Sequence, residues 1–327
     1  MKFVVESLFH SYHSLGVVGV GCAQGLRAQP NVEVQEIRWP MSETTHPVST
    51  CEGPYDYWLK ISPGPVKIES LKNVAKQFIY LPCFESTEMT NWFPKDNFEE
   101  SDIFACSSTW VQRHLPHDKP KLIWHHGINP EEIVHKTEAN MDKPLKILFA
   151  GKLDTRKYGD EFINLFANTF GNNEKIQLIV KCQPDYDIKV KSYKNIKFIN
   201  EVLEKRALNE LYSECDVFMM PSRGEAFGMM GLEAAASGLP IITVDWGGQS
   251  DYIEDCVNIK VGYKLVDTPK DGPWLGQWAE PNEQSIIMAI TAIDENRSLL
   301  KNALTQQDDI VRSWSWKATT KRFLNQL

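Results

Sequence analysis

The chain has 327 residues, with 35 Lys and Arg against 43 Asp and Glu, and a formal net charge of −8. Hydrophobic residues make up 42% of it and charged residues 24%, which excludes a disordered or collagen-like chain. A chain of this length typically forms about two domains of roughly 150 residues each. The acidic balance argues against a strong nucleic-acid binder, although a local basic groove would be compatible with it.

The N-terminal residues and the cysteines favour a cytoplasmic protein. Residues 1–6 carry one lysine and one glutamate, which does not fit a secretory signal. No segment approaches the ~20 apolar residues of a membrane-spanning helix, so we expect no stable membrane insertion. The seven cysteines are scattered without a Cys-x-x-Cys pair, and we therefore expect neither a disulfide framework nor a zinc site.

Short apolar runs separated by helix-length segments predict parallel α/β sheets. The predicted strands are Phe3–Leu8, Val32–Ile37, Gln77–Leu81, Ile103–Cys106, Leu122–Trp124, Leu145–Ala150, Ile176–Val180, Ile196–Ile199, Val217–Met220 and Ile241–Val244. Helices are predicted over residues 160–170, 205–214, 227–237 and 283–295. This alternation is typical of βαβ units. It predicts two Rossmann-like parallel-sheet domains that face a cleft, joined by a polar linker around residues 136–144.

The segment 221–240 carries two glutamates, Glu225 and Glu233, directly after a predicted strand. A helix is predicted to start at Phe227, and the free N–H groups at such a start suit a phosphate. Small residues at 234–238 would let this helix pack closely on the sheet, and Gly238 would end it. On their own the two glutamates could equally be solvated surface carboxylates.

A second segment, 148–159, runs from a predicted strand into a glycine loop with three cations, Lys152, Arg156 and Lys157. Fixed positive charge of this kind stabilises a diphosphate leaving group, although the loop could also be merely solvated. A third segment, residues 245–248, is a glycine turn at the end of a predicted strand. Open α/β sheets bind ligands at such strand ends.

Together these segments resemble the family 4 glycosyltransferases, which are retaining enzymes of the GT-B fold. Glu225 and Glu233 match the Glu-x7-Glu motif of that family, with Pro-Ser before it and Gly-Leu-Pro after it. Lys152, together with Arg156 or Lys157, matches its diphosphate clamp. Lys152 stands where the family has arginine, and a tyrosine follows Lys157 where the family has glycine, so the relative importance of Arg156 and Lys157 stays open.

Weaker matches extend the resemblance to most of the chain, although it is firm only from about 145 to 260. They are Gly16–Gly19 as the first glycine loop, Ser107–Trp110, His126–Asn129 and Ser315–Trp316. The glycines could instead serve only to pack the first helix on its strand. The resemblance implies three segments: an acceptor-binding domain over 1–138, a nucleotide-sugar-binding domain over 143–305, and a helix over 306–327 that returns to the first domain.

The resemblance implies a glycosyltransferase that moves a sugar, with retention, from a UDP- or GDP-linked donor to a hydroxyl group, without a metal or cofactor. The implied catalytic residues are Lys152, Lys157 and Glu225. The implied donor-binding residues are Gly16, Arg156, Val202, Ala226, Phe227, Gly228, Met229 and Glu233. On the acceptor side, Glu85 and His126 are candidates.

The acceptor stays open among a glycan, a lipid, a protein, a metabolite and a modified DNA base. One alternative is therefore transfer to a hydroxymethylated DNA base, and another is a non-catalytic nucleotide-sugar-binding or partner subunit. Asp185–Asp187 is interpreted as a turn rather than as an Asp-x-Asp metal site. His10 and His13 are interpreted as structural histidines, and the glycines near residue 20 do not fit a dinucleotide fingerprint.

Overall fold

The structure is a computed structural model that describes residues 1–9, 14–38, 53–61, 74–89, 95–184 and 193–327. The chain divides into two compact units. The first consists of Met1–Asn129, Thr268–Gly276 and Ser313–Leu327, and the second of Pro130–Asp267 and Gln277–Arg312. Residues 130–138 and 306–312 therefore lie in the second unit, whereas the sequence-based bounds give them to the first domain and to the returning helix. Thr268–Gly276 lies in the first unit, whereas those bounds give it to the second domain. The predictions for His10, His13 and Asp185–Asp187 fall outside the described residues.

The first unit contains a six-stranded parallel sheet with the order β2-β1-β3-β4-β5-β6. Its strands are β1 (Lys2–Ser7), β2 (Glu33–Arg38), β3 (Tyr55–Ile61), β4 (Ala75–Tyr80), β5 (Ile103–Cys106) and β6 (Lys121–Ile123). Its helices are α1 (Ser14–Arg27), α2 (Lys95–Glu100), α3 (Thr109–His114) and α9 (Trp316–Leu324). The middle of β1 is fully buried, as expected for a parallel strand that is covered on both faces.

Glycines in α1 permit the close packing that holds the first unit together. A Cβ atom on Gly21 would lie 2.0 Å from the indole of Trp316 in α9, and one on Gly25 would lie 2.2 Å from the hydroxyl of Thr320. A Cβ atom on Gly19 would lie 2.1 Å from the hydroxyl of Ser7 on β1. At Gly19 the close approach of α1 to β1 agrees with one of the two interpretations of the segment Gly16–Gly19, whereas Gly21 and Gly25 allow the approach of α9.

The second unit contains another six-stranded parallel sheet, with the order β12-β11-β10-β7-β8-β9, and a separate antiparallel hairpin. Its strands are β7 (Leu145–Ala150), β8 (Ile176–Lys181), β9 (Ile196–Ile199), β10 (Val217–Met220), β11 (Ile241–Val244), β12 (Asn258–Val261), β13 (Tyr263–Asp267) and β14 (Gln277–Pro281). Its helices are α4 (Gly159–Phe170), α5 (Lys205–Glu214), α6 (Met229–Ala236), α7 (Glu283–Glu295) and α8 (Ser298–Trp314), the last of which ends in the first unit.

Two predicted helices differ from the observed ones for local reasons. The helix predicted from Phe227 begins at Met229, because Gly228 has a φ of 81° and takes a left-handed conformation that a helix cannot contain. The single helix predicted over 306–327 is two helices, α8 and α9. Their break lies at Ser315, whose side chain accepts a hydrogen bond from the Ala318 amide and caps α9.

Within the described ranges, the structure contains no helix that is long and apolar enough to cross a membrane.

Candidate active site

Two of the segments singled out in the sequence meet at one edge of the second sheet. Strands β7 and β10 are parallel neighbours, with Phe149 paired to Met219. The loop 151–157 follows β7, and the loop 221–228 follows β10. Because the carboxyl ends of parallel strands lie at the same edge, both loops start side by side.

The two loops bring Arg156, Lys157 and Glu225 into direct contact. The Lys157 Nζ lies 2.5 Å from the Glu225 Oε1, and the Arg156 Nη1 lies 3.4 Å from the Glu225 Oε2. The same Arg156 nitrogen donates a hydrogen bond of 2.7 Å to the Gly224 carbonyl. All three side chains are largely buried, at 14%, 16% and 8% exposure respectively. The candidate site therefore has a carboxylate enclosed by two cations.

The charge of Glu225 follows from these contacts. Burial alone would raise its pKa, because a buried carboxylate loses its hydration. The charges of Lys157 and Arg156, with hydrogen bonds from Lys157 and Ser222, outweigh burial and lower the pKa to about 2. Glu225 is therefore ionised throughout the physiological range, and the three side chains together carry a charge of +1.

The backbone of the cationic loop is fixed by a short 3-10 turn, Thr155–Lys157. Asp154 caps this turn, since its side chain accepts a hydrogen bond of 2.8 Å from the Lys157 amide. Tyr158 then takes a left-handed conformation with a φ of 57° and starts α4. The two cations thus lie on a capped turn rather than on a free loop.

Lys152 lies apart from this ion-paired group. It is exposed, and it forms no ion pair with any carboxylate among the residues that the structure describes. The structure thus brings together two of the three cations in the segment.

The second glutamate of the motif, Glu233, lies on α6 and is 5% exposed. Its Oε1 lies 2.5 Å from the Lys205 Nζ, and its Oε2 accepts a hydrogen bond of 3.5 Å from the Tyr212 hydroxyl. Lys205 and Tyr212 both lie on α5, and sequence reasoning missed both. The available signal was the alternation of apolar and polar residues along the ten residues of α5, but that pattern does not reveal which neighbour its polar side chains contact.

The backbone of Ala226 to Met229, which is predicted to contact the donor, is supported by the glycine turn 245–248 and by Tyr252. The Gly248 amide donates a hydrogen bond of 2.7 Å to the Glu225 carbonyl, and the Tyr252 hydroxyl donates one of 2.6 Å to the Gly228 carbonyl. A Cβ atom on Gly248 would lie only 1.9 Å from the Ala226 carbonyl oxygen. Glycine at 248 therefore allows this turn to support the loop closely. Ala226 and Phe227 are buried, and Met229 is half-buried at the start of α6.

Val202, the predicted contact to the base, is 59% exposed in the loop between β9 and α5. Its neighbours Glu201 and Leu203 line a surface groove that runs along α5. The loop lies in the same unit as Glu233.

Three predicted residues belong to the first unit instead. Gly16 is buried in α1, and Glu85 is half-buried in the loop after β4. His126 is 4% exposed, and its ring centroid lies 5.9 Å from that of Trp316. Burial, and then the charge of His125, lower the pKa of His126 to about 3, so its imidazole is neutral at physiological pH.

The candidate-site residues of the second unit fall within a segment that matches a known family. The sequence profile of the family "Glycosyl transferases group 1" matches residues 130–264, a range that includes the Arg156, Lys157, Glu225 and Glu233 site. The protein is a glycosyltransferase. The expectation of a nucleotide-sugar-binding subunit without activity is therefore not supported.

Two relatives that match about three quarters of this chain agree with this identification. A protein of Sulfolobus islandicus filamentous virus, provisionally named glycosyltransferase 45, is 22% identical over 76% of this chain and 82% of its own length. An uncharacterized glycosyltransferase of Methanocaldococcus jannaschii is 24% identical over 75% of this chain and 61% of its own length.

The glycosyltransferase also resembles solved structures at lower sequence identity. Sucrose-phosphate synthase from Thermosynechococcus elongatus has a TM-score of 0.68 at 14% identity, covering 100% of this chain and 98% of that one. Anabaena HepE, solved in complex with UDP and glucose, has a TM-score of 0.64 at 11% identity, covering 100% and 99%. These likenesses, with the two parallel-sheet units, confirm the predicted GT-B fold.

Proposed function

We propose that this glycosyltransferase transfers a sugar from a nucleoside diphosphate sugar to a hydroxyl acceptor, with retention and without a metal ion. The observation that carries the proposal is the contact of Lys157 and Arg156 with Glu225 at the edge of the second sheet. This contact lies inside the family-matched segment.

The chemical argument concerns the leaving group. When the bond to the sugar breaks, negative charge develops on the departing diphosphate. Two cations on a capped turn, shielded from bulk water, would stabilise that charge without needing to reorganise. The group of Arg156, Lys157 and ionised Glu225 has a net charge of +1, because the carboxylate balances only one of the two cations. The remaining positive charge would attract a diphosphate. Exposed Lys152 would add a further positive charge at the entrance.

Glu225 and Glu233 would have different tasks. Both Glu225 oxygens face cations and its pKa is about 2, so it is a weak base and a weak nucleophile. This supports a retaining route without a covalent sugar–enzyme intermediate, in which Glu225 orients the transferred sugar. Glu233, on α6, would accept hydrogen bonds from the ribose hydroxyls. Anabaena HepE and the pneumococcal O-GlcNAc transferase GtfA were both solved with UDP, which supports a nucleotide ligand in this fold.

The other predicted site residues would contact the rest of the donor and the acceptor. The amides of Ala226 to Met229 would contact the diphosphate and sugar, and Val202 would contact the base. Gly16, Glu85 and His126 would contribute from the first unit, the last two toward the acceptor.

The proposal is tested by thermal shift with UDP, GDP and ADP, each with and without EDTA. A ligand at a hundredfold excess over its Kd stabilises the folded state by about 2.7 kcal/mol, enough to raise the Tm visibly. We expect one base to give a shift that EDTA does not change, and the product anomer, read by NMR, to keep the configuration of the donor sugar. A shift that EDTA abolishes would overturn the proposal that no metal ion is needed. A product with the inverted anomer would overturn the proposal of retention. The absence of any shift would remove the donor-site assignment.

A further inference from the structure

Arg223 lies in the loop between β10 and α6, and the motifs singled out in the sequence give it no task. Its side chain is 8% exposed. The guanidinium binds Glu280 with two hydrogen bonds, Nε to Oε2 at 2.5 Å and Nη2 to Oε1 at 3.1 Å. Its Nη1 lies 3.0 Å from the Glu161 Oε1 and also donates to the Thr155 carbonyl. Paired bonds of this kind fix a guanidinium in direction as well as in place.

Two aromatic rings enclose the same group. The Arg223 Cζ lies 4.6 Å from the ring centroid of Tyr158 and 5.6 Å from that of Trp278. Tyr158 directly follows Lys157 in sequence. A cation held over aromatic faces gains further attraction when it is shielded from water. The guanidinium therefore joins α4, β14 and the cationic turn, the last through the Thr155 carbonyl.

The backbone of Arg223 adds two bonds. Its amide donates a hydrogen bond of 2.8 Å to the Arg156 carbonyl, and its own carbonyl accepts one of 2.8 Å from the Ala279 amide. The carbonyls of Thr155 and Arg156, within the turn that carries the two cations, are thus both bound by Arg223. Two residues further along, Glu225 contacts the side chains of Arg156 and Lys157.

We infer that Arg223 is a positioning residue of the diphosphate clamp, which holds the turn Thr155–Lys157 against the loop 223–225 so that Arg156 and Lys157 are fixed before the donor binds. The inference rests on the proposed function. Nε, Nη1 and Nη2 of Arg223 all donate to protein acceptors, so Arg223 acts through the turn and not on the diphosphate itself. Preorganised cations stabilise developing charge better than cations that must first be ordered.

A purely structural role makes a different prediction from a positioning role. Loss of a buried structural arginine lowers the Tm but changes the binding of all nucleotides alike. Loss of a positioning residue for the clamp weakens ligands that carry a second phosphate and spares those that lack it. The ratio of the Kd for a nucleoside diphosphate to that for the matching monophosphate therefore separates the two roles.

The experiment uses the full chain and four variants: Arg223→Met, Arg223→Lys, Glu161→Gln and the control Arg206→Met. Arg206 is 88% exposed and forms an ion pair with Glu210 on the same helix. The Kd values of UDP and UMP, or of GDP and GMP if the unmodified chain binds guanine, are measured together with kcat and KM for the donor. Glu161→Gln removes one partner of the guanidinium and keeps the arginine, so it provides the test if Arg223→Met does not fold.

We expect Arg223→Met to raise the diphosphate Kd about tenfold, equivalent to about 1.4 kcal/mol, and the monophosphate Kd less than threefold. We expect kcat to fall at least about tenfold, Arg223→Lys to restore part of both losses, and Arg206→Met to behave like the unmodified chain. The inference is overturned if a folded Arg223→Met and Glu161→Gln keep the unmodified ratio and kcat while Lys157→Met loses diphosphate binding. If the unmodified chain binds no nucleoside diphosphate, the proposed function itself fails.

Discussion

Lys157 and Glu225 are 68 residues apart in sequence, yet the Lys157 Nζ lies 2.5 Å from the Glu225 Oε1. Lys157 thus has an anionic partner within the protein itself. Under the proposed function, a bound diphosphate shares the lysine with Glu225 instead of meeting a bare cation. The carboxylate would then hold the ammonium in place at a cost in donor affinity.

Replacing Lys157 tests how much this lysine contributes to stabilising the proposed diphosphate leaving group. We expect Lys157→Met to lower kcat by about a hundredfold, in the range seen when one preorganised donor to developing charge is removed. Steady-state transfer or donor hydrolysis measures this. Lys175→Met, at an exposed position before β8, is the matched control and should leave kcat within about twofold. Equal losses in both variants would show that the assay reports overall charge rather than this site.

If Glu233 binds the ribose hydroxyls, replacing it should reduce the preference for ribonucleotides over deoxyribonucleotides. It should not weaken the binding of all nucleotides alike. The unmodified chain should bind the ribonucleoside diphosphate about tenfold more tightly than its 2′- and 3′-deoxy analogues, since each lost hydroxyl leaves a buried carboxylate oxygen with one partner fewer. Glu233→Gln should reduce this preference to about twofold or less, as measured by calorimetric titration. Glu174→Gln, at an exposed position before β8, is the control. An unchanged preference in Glu233→Gln would contradict the assignment.

The low pKa of Glu225 has a consequence for acid stability. Its pKa is about 2 in the folded protein against an ordinary value of 4.5, so its stabilising contribution is complete above pH 4.5 and is lost as the pH falls toward 2. We expect the free energy of unfolding to fall less steeply over this range in Glu225→Gln than in the unmodified chain. Urea denaturation at several pH values measures the slope. Parallel slopes for the two proteins would argue against ion pairing of Glu225 in solution.

The low pKa of His126 predicts a second pH range in which the stability of the protein changes. Its pKa is about 3 in the folded protein against 6.5 ordinarily, because burial disfavours the charged ring, so the unfolded chain binds a proton that the folded chain does not. Stability should therefore fall as the pH is lowered from 6.5 toward 3. His126→Phe, which keeps a ring beside Trp316, should flatten the slope between pH 6.5 and 4.5. NMR titration of the imidazole with a midpoint near 6.5 would contradict this prediction.

Five strands have the predicted bounds because they are short apolar runs, and four of them, including β7 and β10, are largely buried. The fifth, β9, lies at the edge of its sheet and is only partly buried. Strand β3 was missed because Asp56 and Lys60 interrupt its apolar pattern. Lys60 is nevertheless fully buried, with its Nζ 3.8 Å from the Glu6 Oε1 on the neighbouring strand. Local sequence does not show that a lysine has a buried partner 54 residues away, so a lysine of this kind is taken as exposed.

The same limit applies to the candidate site. Glu225 and Glu233 could be found because their spacing and flanking residues are local in sequence. Arg223 could not be found from the sequence, because its role follows from its contacts with Glu280, 57 residues further on, and with Glu161. Lys205 likewise has its role only through Glu233. The residues that touch a ligand leave a motif, whereas the residues that hold them in place are recognised only through contacts in the fold.

The packing of Trp316 against Gly21 has a consequence for synthesis in the cell. Helix α1 leaves the ribosome before α9, which packs against Gly21 and Gly25 of α1 and is made almost 300 residues later. Until then one face of α1 is uncovered and the first sheet lacks a supporting helix. The second unit, whose strands all precede α9, can complete its sheet earlier. The first unit, although strands β1 to β6 are translated before strand β7, would therefore reach its final packing later than the second sheet.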